Sequence, residues 1–179
     1  LLVAAQLASA GVLTFADRPS FNAAAPAGIT LETFENGTLA DGFGASIGPT
    51  LGASSNNAVF PPGAIAPGLL LTAAQGLFVG NNRNHFPTIS VMNDAEGDPT
   101  TISFPATQVT ALAFDYYGLF FENGLSQVTL FDAASNELWS GSVAPPGTGV
   151  FFGFLSTTSI DRVVLSNGIA WYGVDNIAF

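Results

Sequence analysis

Cysteine and lysine are both absent from this 179-residue chain, and histidine occurs once. Without thiols there can be no disulfide scaffold, zinc finger, iron–sulfur cluster or thiol catalysis. One imidazole cannot build a multi-histidine metal site. Cations are also scarce: three arginines stand against 13 acidic residues, for a formal charge of −10. Such a surface repels phosphate backbones, which excludes nucleic-acid partners, and it disfavours anionic membrane surfaces. No stretch is apolar for the roughly eighteen residues that a membrane span requires. What the chain does have is apolar bulk. It is 48% hydrophobic, with 16 Phe, 3 Tyr and 2 Trp, a composition that buries a core rather than remaining disordered. The length suits one domain.

Residues Leu1 to Ala10 read LLVAAQLASA, a short apolar run closing on Ala8-Ser9-Ala10. This is the form of a secretory h-region and its small-x-small cleavage site. Residues 1–10 are therefore expected to be a signal-peptide remnant, and residues 11–179 a single exported domain. Absence of cysteine does not oppose export, since disulfides are an option of oxidising compartments and not a requirement.

Beyond Gly11 the pattern has period two. Gly11–Phe15 and Ile29–Phe34 read as strands, and Asp17 is placed to cap a brief helical turn with Pro19 in its first turn. Residues 35–67 are rich in Gly, Pro, Asn and Ser and predict loops with one or two weak strands. From Leu69 the strands recur regularly: Leu69–Thr72, Leu77–Gly80, Thr88–Met92, Thr100–Phe104, Val109–Tyr116, Gln127–Asp132, Leu138–Val143, Val150–Leu155, Ile160–Ser166 and Trp171–Phe179. Turn residues at Asp94–Pro99, Glu122–Gly124 and Asp132–Asn136 separate several of them. The expectation is an all-β, antiparallel β-sandwich of jelly-roll type with one short N-terminal helical turn.

Two glycine-rich motifs fail on context. Gly44-Ala45-Ser46-Ile47-Gly48 matches the G-x-S-x-G nucleophile elbow, but Pro49 follows where a helix should begin. No acid lies between Ser46 and His85, the chain's one histidine. The glycines 42, 44 and 48 miss the dinucleotide fingerprint and lack a βαβ unit. Paired carboxylates of a glycosidase need a cleft that sequence does not locate. The polar cluster Asn82, Arg83, Asn84 and His85 offers amide and imidazole groups for a neutral polar ligand. Trp171 and Tyr172, adjacent in a strand, must face opposite ways. One of them becomes a contact candidate, while Tyr116, Tyr117 and Trp139 read first as core.

Acids without histidine or cysteine suit calcium, which takes oxygen ligands only. Asp94, Glu96 and Asp98 lack the EF-hand spacing and read as a turn. In a jelly roll the first and last strands can run side by side. Glu35 and Asp175 could then share a cation, which would relieve the repulsion between them.

The ordered motifs carry a resemblance. Thr14 to Ala24 (TFADRPSFNAA) and Leu31 to Glu35 (LETFE) come first, followed by Ile102–Pro105 and Val109–Asp115. Val128–Asp132, Phe151–Phe154, Ile160–Val163 and Tyr172–Phe179 (YGVDNIAF) complete the series. Together they resemble the secreted domains of bacterial PEP-CTERM proteins, whose sorting tail would follow Phe179. The early Phe34-Glu35 and the closing Val174-Asp175-Asn176 are also similar to the ends of carbohydrate-binding jelly rolls. The resemblance implies a non-enzymatic protein of the cell surface or extracellular matrix of a Gram-negative bacterium. It further implies glycan partners such as exopolysaccharide, and structural calcium at Glu35 and Asp175. A self-assembling matrix or fibre subunit, adding residues 1–10 as a strand to its neighbour, is the alternative; a glycan-active hydrolase is a weaker one.

Overall fold

The structure, a computed structural model, describes residues 11–81, 88–93, 97–105, 107–118, 126–143, 149–167 and 172–179. The residues expected to form a signal peptide, 1–10, lie outside that set. Strands form where side chains alternate. In chain order they are β1 (Val12–Phe15), β2 (Leu31–Glu32), β3 (Phe43–Gly52), β4 (Leu70–Asn81), β5 (Ser90–Asn93) and β6 (Thr100–Ser103). They continue with β7 (Val109–Gly118), β8 (Ser126–Phe131), β9 (Glu137–Val143), β10 (Val150–Ile160), β11 (Arg162–Asn167) and β12 (Tyr172–Ala178). The one described helix, α1, spans Arg18–Ala24. Asp17 caps it by accepting from Ser20 N at 2.8 Å, and Pro19 sits in the first turn, where a missing N–H costs nothing.

The described strands pair antiparallel in the order β1-β10-β7-β12-β5-β4-β6-β11-β8-β9, with β2 beside β12 and β3 beside β4. Strand β4 explains how one path becomes two layers. Its first residues, Leu70–Ala73, pair with β6, while Leu77–Gly80 pair with β5. At the fork between them Gly76 adopts φ +120°, open to glycine alone among common residues. The hairpin partner β3 follows β4 through both halves, with register shifts around Gly48. One layer is therefore β1-β10-β7-β12-β5 and the second is β6-β11-β8-β9, joined by the bent β3–β4 hairpin.

Alternation decides what the layers bury. Leu112, Phe114 and Tyr116 of β7 and Tyr172 and Val174 of β12 turn inward. They meet Ile102, Val128, Leu130, Val163 and Leu165 from the other layer. Trp139 of β9 lies 4.9 Å from Phe154 of β10, ring centre to ring centre. The Tyr172 hydroxyl accepts from Thr100 N at 2.7 Å and donates to Leu165 O at 2.7 Å, so one side chain bonds β12 to both β6 and β11. The Tyr116 hydroxyl meets that of Ser126 on β8. Burial of each large apolar side chain contributes about 1.5–3 kcal/mol. Against this, Thr100 Oγ1 is buried among the described residues without a hydrogen-bond partner. The result is the expected antiparallel β-sandwich of jelly-roll type.

The stretch 35–67, expected to hold one or two weak strands among loops, contains β3, which runs for ten residues. One sequence expectation changes. The two predicted strands Leu69–Thr72 and Leu77–Gly80 are one continuous β4. Ala73-Ala74-Gln75-Gly76 reads as a break because it is the fork. The nucleophile-elbow motif lies inside β3, with Ser46 opposite Phe78 and Gly48 at φ +88°, in a bulged hairpin and not a strand-to-helix turn.

The outer face of the first layer is covered. Phe21 of α1 is fully buried against Ala111, Ala113 and Ala178, with Phe15 and Phe151 rings 5.8 and 6.0 Å away. A Cβ at Gly153 would stand 2.9 Å from the Phe21 ring, so glycine there lets the helix settle on the sheet.

Candidate functional site

The opening and closing motifs meet on that first layer, beside the helix. Glu32 is buried and accepts two backbone N–H groups, from Phe34 and Ala66, both at 2.6 Å. These bonds hold Phe34 at φ +58°, a left-handed conformation costly for a bulky residue. The kink delivers the next residue, Glu35, to the loop before β5, where its Oε1 accepts from Ile89 N at 3.0 Å. In the closing strand, Asn176 is at φ +51° and the pairing with β7 shifts register between Asp175 and Ala178. This bulge leaves Asp175 fully buried. Its Oδ1 accepts from Asn176 N at 2.6 Å and its Oδ2 from the Thr88 hydroxyl. Two non-glycine residues in left-handed geometry thus flank the two expected ligands.

A third carboxylate stands opposite Asp175 in register, that of Asp115. It is compensated by Arg18 of α1 at 3.0 Å and by Asn176 Nδ2 at 2.8 Å. Arg18 also donates to Asn176 O at 3.2 Å and lies 4.8 Å over the Phe151 ring. Burial pushes the Asp175 carboxyl up to about 7, and the charges of Asp115 and Glu35 act in the same direction against the hydrogen bonds from Thr88 and Asn176. The donor set is hard oxygen only, and the strain is of like charge, so Glu35 and Asp175 suit a calcium ion chemically. No three acids or histidines converge into a ready cage among the described residues. Further oxygens would come from Thr88, backbone carbonyls or water.

The expected contact residues fare differently. Tyr172 is 1% exposed and its hydroxyl is spent on the opposite layer, so the structure corrects its assignment as a ligand contact: the inward phase of β12 makes it core. Asn82, Arg83, Asn84, His85 and Trp171 lie outside the described residues, as do Asp94, Glu96 and the turn Glu122–Gly124. Tyr117 packs with Met92 and Phe78 on the outer side of the first layer. Burial, then the charges of Asp115 and Asp175, raise its hydroxyl to about 12. Phe43, near one end of the β3–β4 hairpin, is 65% exposed.

Sequence reading missed Asp98 and the outer face of the second layer. Where β4 leaves β6 for β5, the N–H of Gln75 loses its strand partner, and buried Asp98 accepts it through Oδ2 at 2.7 Å. Beside this fork is a groove of about 400 Å³ lined by Pro49, Thr50, Thr72, Asp98, Pro99 and Thr101, among others. From the groove a cross-strand row runs over the second layer: Thr50, Thr72, Thr101, Val164, Thr129 and Ser140 are successive register partners on β3, β4, β6, β11, β8 and β9. None of the six is buried. The polar half of each strand's alternation is readable in the sequence. That these hydroxyls align in one row depends on register between strands distant in sequence.

No family model matches the chain, and no curated protein does. Among solved structures, it is similar in shape to a CBM29-2 carbohydrate-binding module mutant complexed with mannohexaose (TM-score 0.44, 12% identity, 86% of this chain and 92% of that one). It is similar also to CBM29_1 from Piromyces equi (TM-score 0.44, 9% identity, 76% and 88%). TmCBM61 in complex with β-1,4-galactotriose gives a TM-score of 0.42 at 15% identity, over 62% and 87% of the two chains. No residue of these proteins is matched to one of this chain.

Proposed function

We propose that this chain is an exported, non-enzymatic carbohydrate-binding β-sandwich of a bacterial cell surface or extracellular matrix, related to PEP-CTERM secreted domains and stabilised by calcium. The observation that carries the reading is the meeting of Glu35 and Asp175. The motifs that resemble the ends of carbohydrate-binding jelly rolls are brought together on one layer, each beside a left-handed residue. Glu35 and Asp175 would hold the ion, which would supply positive charge where burial and neighbouring acids now oppose the Asp175 carboxylate. A non-catalytic role agrees with how five of the described acids are used. Glu32 and Asp98 cap backbone N–H groups, Asp115 anchors Arg18, and Asp17 and Asp132 hold the helix start and a turn.

Two measurements test this. Thermal melts in calcium and in chelator should differ, because a ligand bound to the native state raises the melting temperature; Glu35→Gln should abolish the difference. A glycan array should retain the protein on polysaccharide probes. Equal melts at millimolar calcium remove the ion, and an array without signal removes the carbohydrate-binding reading.

A further inference from the structure

We infer that the hydroxyl row on the outer face of the second layer, with the groove at its β3–β4–β6 end, is the docking surface for a neutral, linear polysaccharide. This rests on the carbohydrate-binding reading above and gives it a place and a ligand class. Five of the row's six side chains carry hydroxyls, and no hydrogen bond within the described protein engages those of Thr50, Thr72, Thr101 or Thr129. Ser140 accepts from Gln127 at 2.9 Å.

The occupant follows from what the row would reject. It contains no ionisable side chain, on a protein of charge −10. A polyanion would meet general repulsion and the Asp98 carboxylate in the groove; the cation flanking the row, Arg162 beside Val164 on β11, is already paired with Asp161 at 3.4 Å and lies over the Phe131 ring. A polycation would find no charge to pair within the row. An apolar partner would bury the threonine hydroxyls without partners, at the cost of desolvating each. What remains is a neutral ligand that donates and accepts many hydrogen bonds and also offers C–H faces to the threonine methyls and to Pro49 and Pro99. Sugars have that character. Asp98 leaves Oδ1 outside any hydrogen bond among the described residues, an acceptor for a ligand hydroxyl. The groove volume of about 400 Å³ suits a small ligand unit. The row crosses six strands, and five spacings of about 4.8 Å give roughly 24 Å, a length for a chain and not a single ring.

Affinity electrophoresis through gels containing mixed-linkage β-glucan, galactan, galactomannan or alginate tests this, followed by titration calorimetry on whichever retards the protein. Wild type should be retarded by at least one neutral polysaccharide and not by alginate. The triple variant Thr72→Ala, Thr101→Ala, Thr129→Ala and the single variant Thr101→Glu should each weaken that binding at least about tenfold. Their melting temperatures should stay near wild type, and Phe43→Ala should bind as wild type does. Retardation by alginate alone overturns the neutral class. Neutral-glycan binding that both row variants keep overturns this location while the carbohydrate-binding reading stands. No retardation in any gel removes that reading and this inference together.

Discussion

The two outer faces of the sandwich are built on the same backbone alternation and put to opposite use. On the first layer, outward positions of β7 and β12 are Ala111, Ala113 and Ala178, small enough to receive α1, with Phe21 fully buried on top of them. The acids of that face, Asp115 and Asp175, are enclosed beside the helix and must be compensated by Arg18, Asn176, Thr88 or an ion. On the second layer the outward row is threonine, serine and valine, flanked on the same face by Gln127 and by Phe131, over whose ring the Arg162 guanidinium lies; no helix covers that row among the described residues. One face converts side chains into stability; the other keeps neutral hydroxyls in water, where a ligand can reach them. Substitutions on the first face should therefore be read in melting temperature, and those on the second in binding.

The sharpest break of that contrast is Phe21→Ala. Removing a fully buried ring should cost about 3–5 kcal/mol, lowering the melting temperature by roughly 10 °C or more. A change within about 2 °C would mean that α1 does not fasten the first face. Tyr172→Phe keeps the ring but leaves Thr100 N and Leu165 O without their bond across the layers. It should cost about 1–3 kcal/mol and leave glycan affinity unchanged; an affinity loss without destabilisation would restore Tyr172 as a contact residue.

The enclosed acids give a pH test. The folded-state Asp175 carboxyl lies near 7, above its unfolded value of about 3.9. The folded protein therefore binds the extra proton between those values, and stability falls as pH rises through that window. In chelator, the protein should melt higher at pH 5 than at pH 8. Asp175→Asn should flatten the profile, and calcium should restore stability at pH 8. A calcium-free profile that rises from pH 5 to 8 would contradict the burial of Asp175 as a charge.

Thr100→Val is a smaller perturbation inside the core. It replaces an unpartnered buried hydroxyl by a methyl of the same shape, so stability should stay level or rise by about 1 kcal/mol; a loss would reveal a partner for Thr100. Smallest of all, Thr129→Ala on the second face should change stability by no more than about 0.5 kcal/mol, measured by urea denaturation. A larger loss would place that hydroxyl in the fold's own bonding and not on a free surface.

Much of the molecule is legible in its amino-acid sequence. Period-two runs locate most of the strands, Asp17 and Pro19 mark the helix start, and Glu35 and Asp175 stand out as carboxylates that the fold would bring together. Other features are not legible there. The position and ten-residue length of β3 do not show in its glycine-rich stretch, which reads only as holding a weak strand or two, because its partner β4 supplies the ladder that its own residues only weakly favour. Asp98 looks like a turn residue, and its value as a cap exists only because β4 changes neighbours at Gln75. Alternation in the sequence does not say which way Tyr172 faces, and only the packing of β12 between β7 and β5 shows that it turns inward.

The absence of cysteine and of all but one histidine excludes disulfides, thiol chemistry and multi-histidine metal sites within these 179 residues, while the abundance of phenylalanine and aliphatic residues determines what the core is made of. Alternation, a local property, determines that each strand has an apolar and a polar side. Only the tertiary structure decides which residues of different strands stand next to one another, because register is set by contacts between segments far apart in the chain. A row of hydroxyls and a pair of facing carboxylates are both products of register.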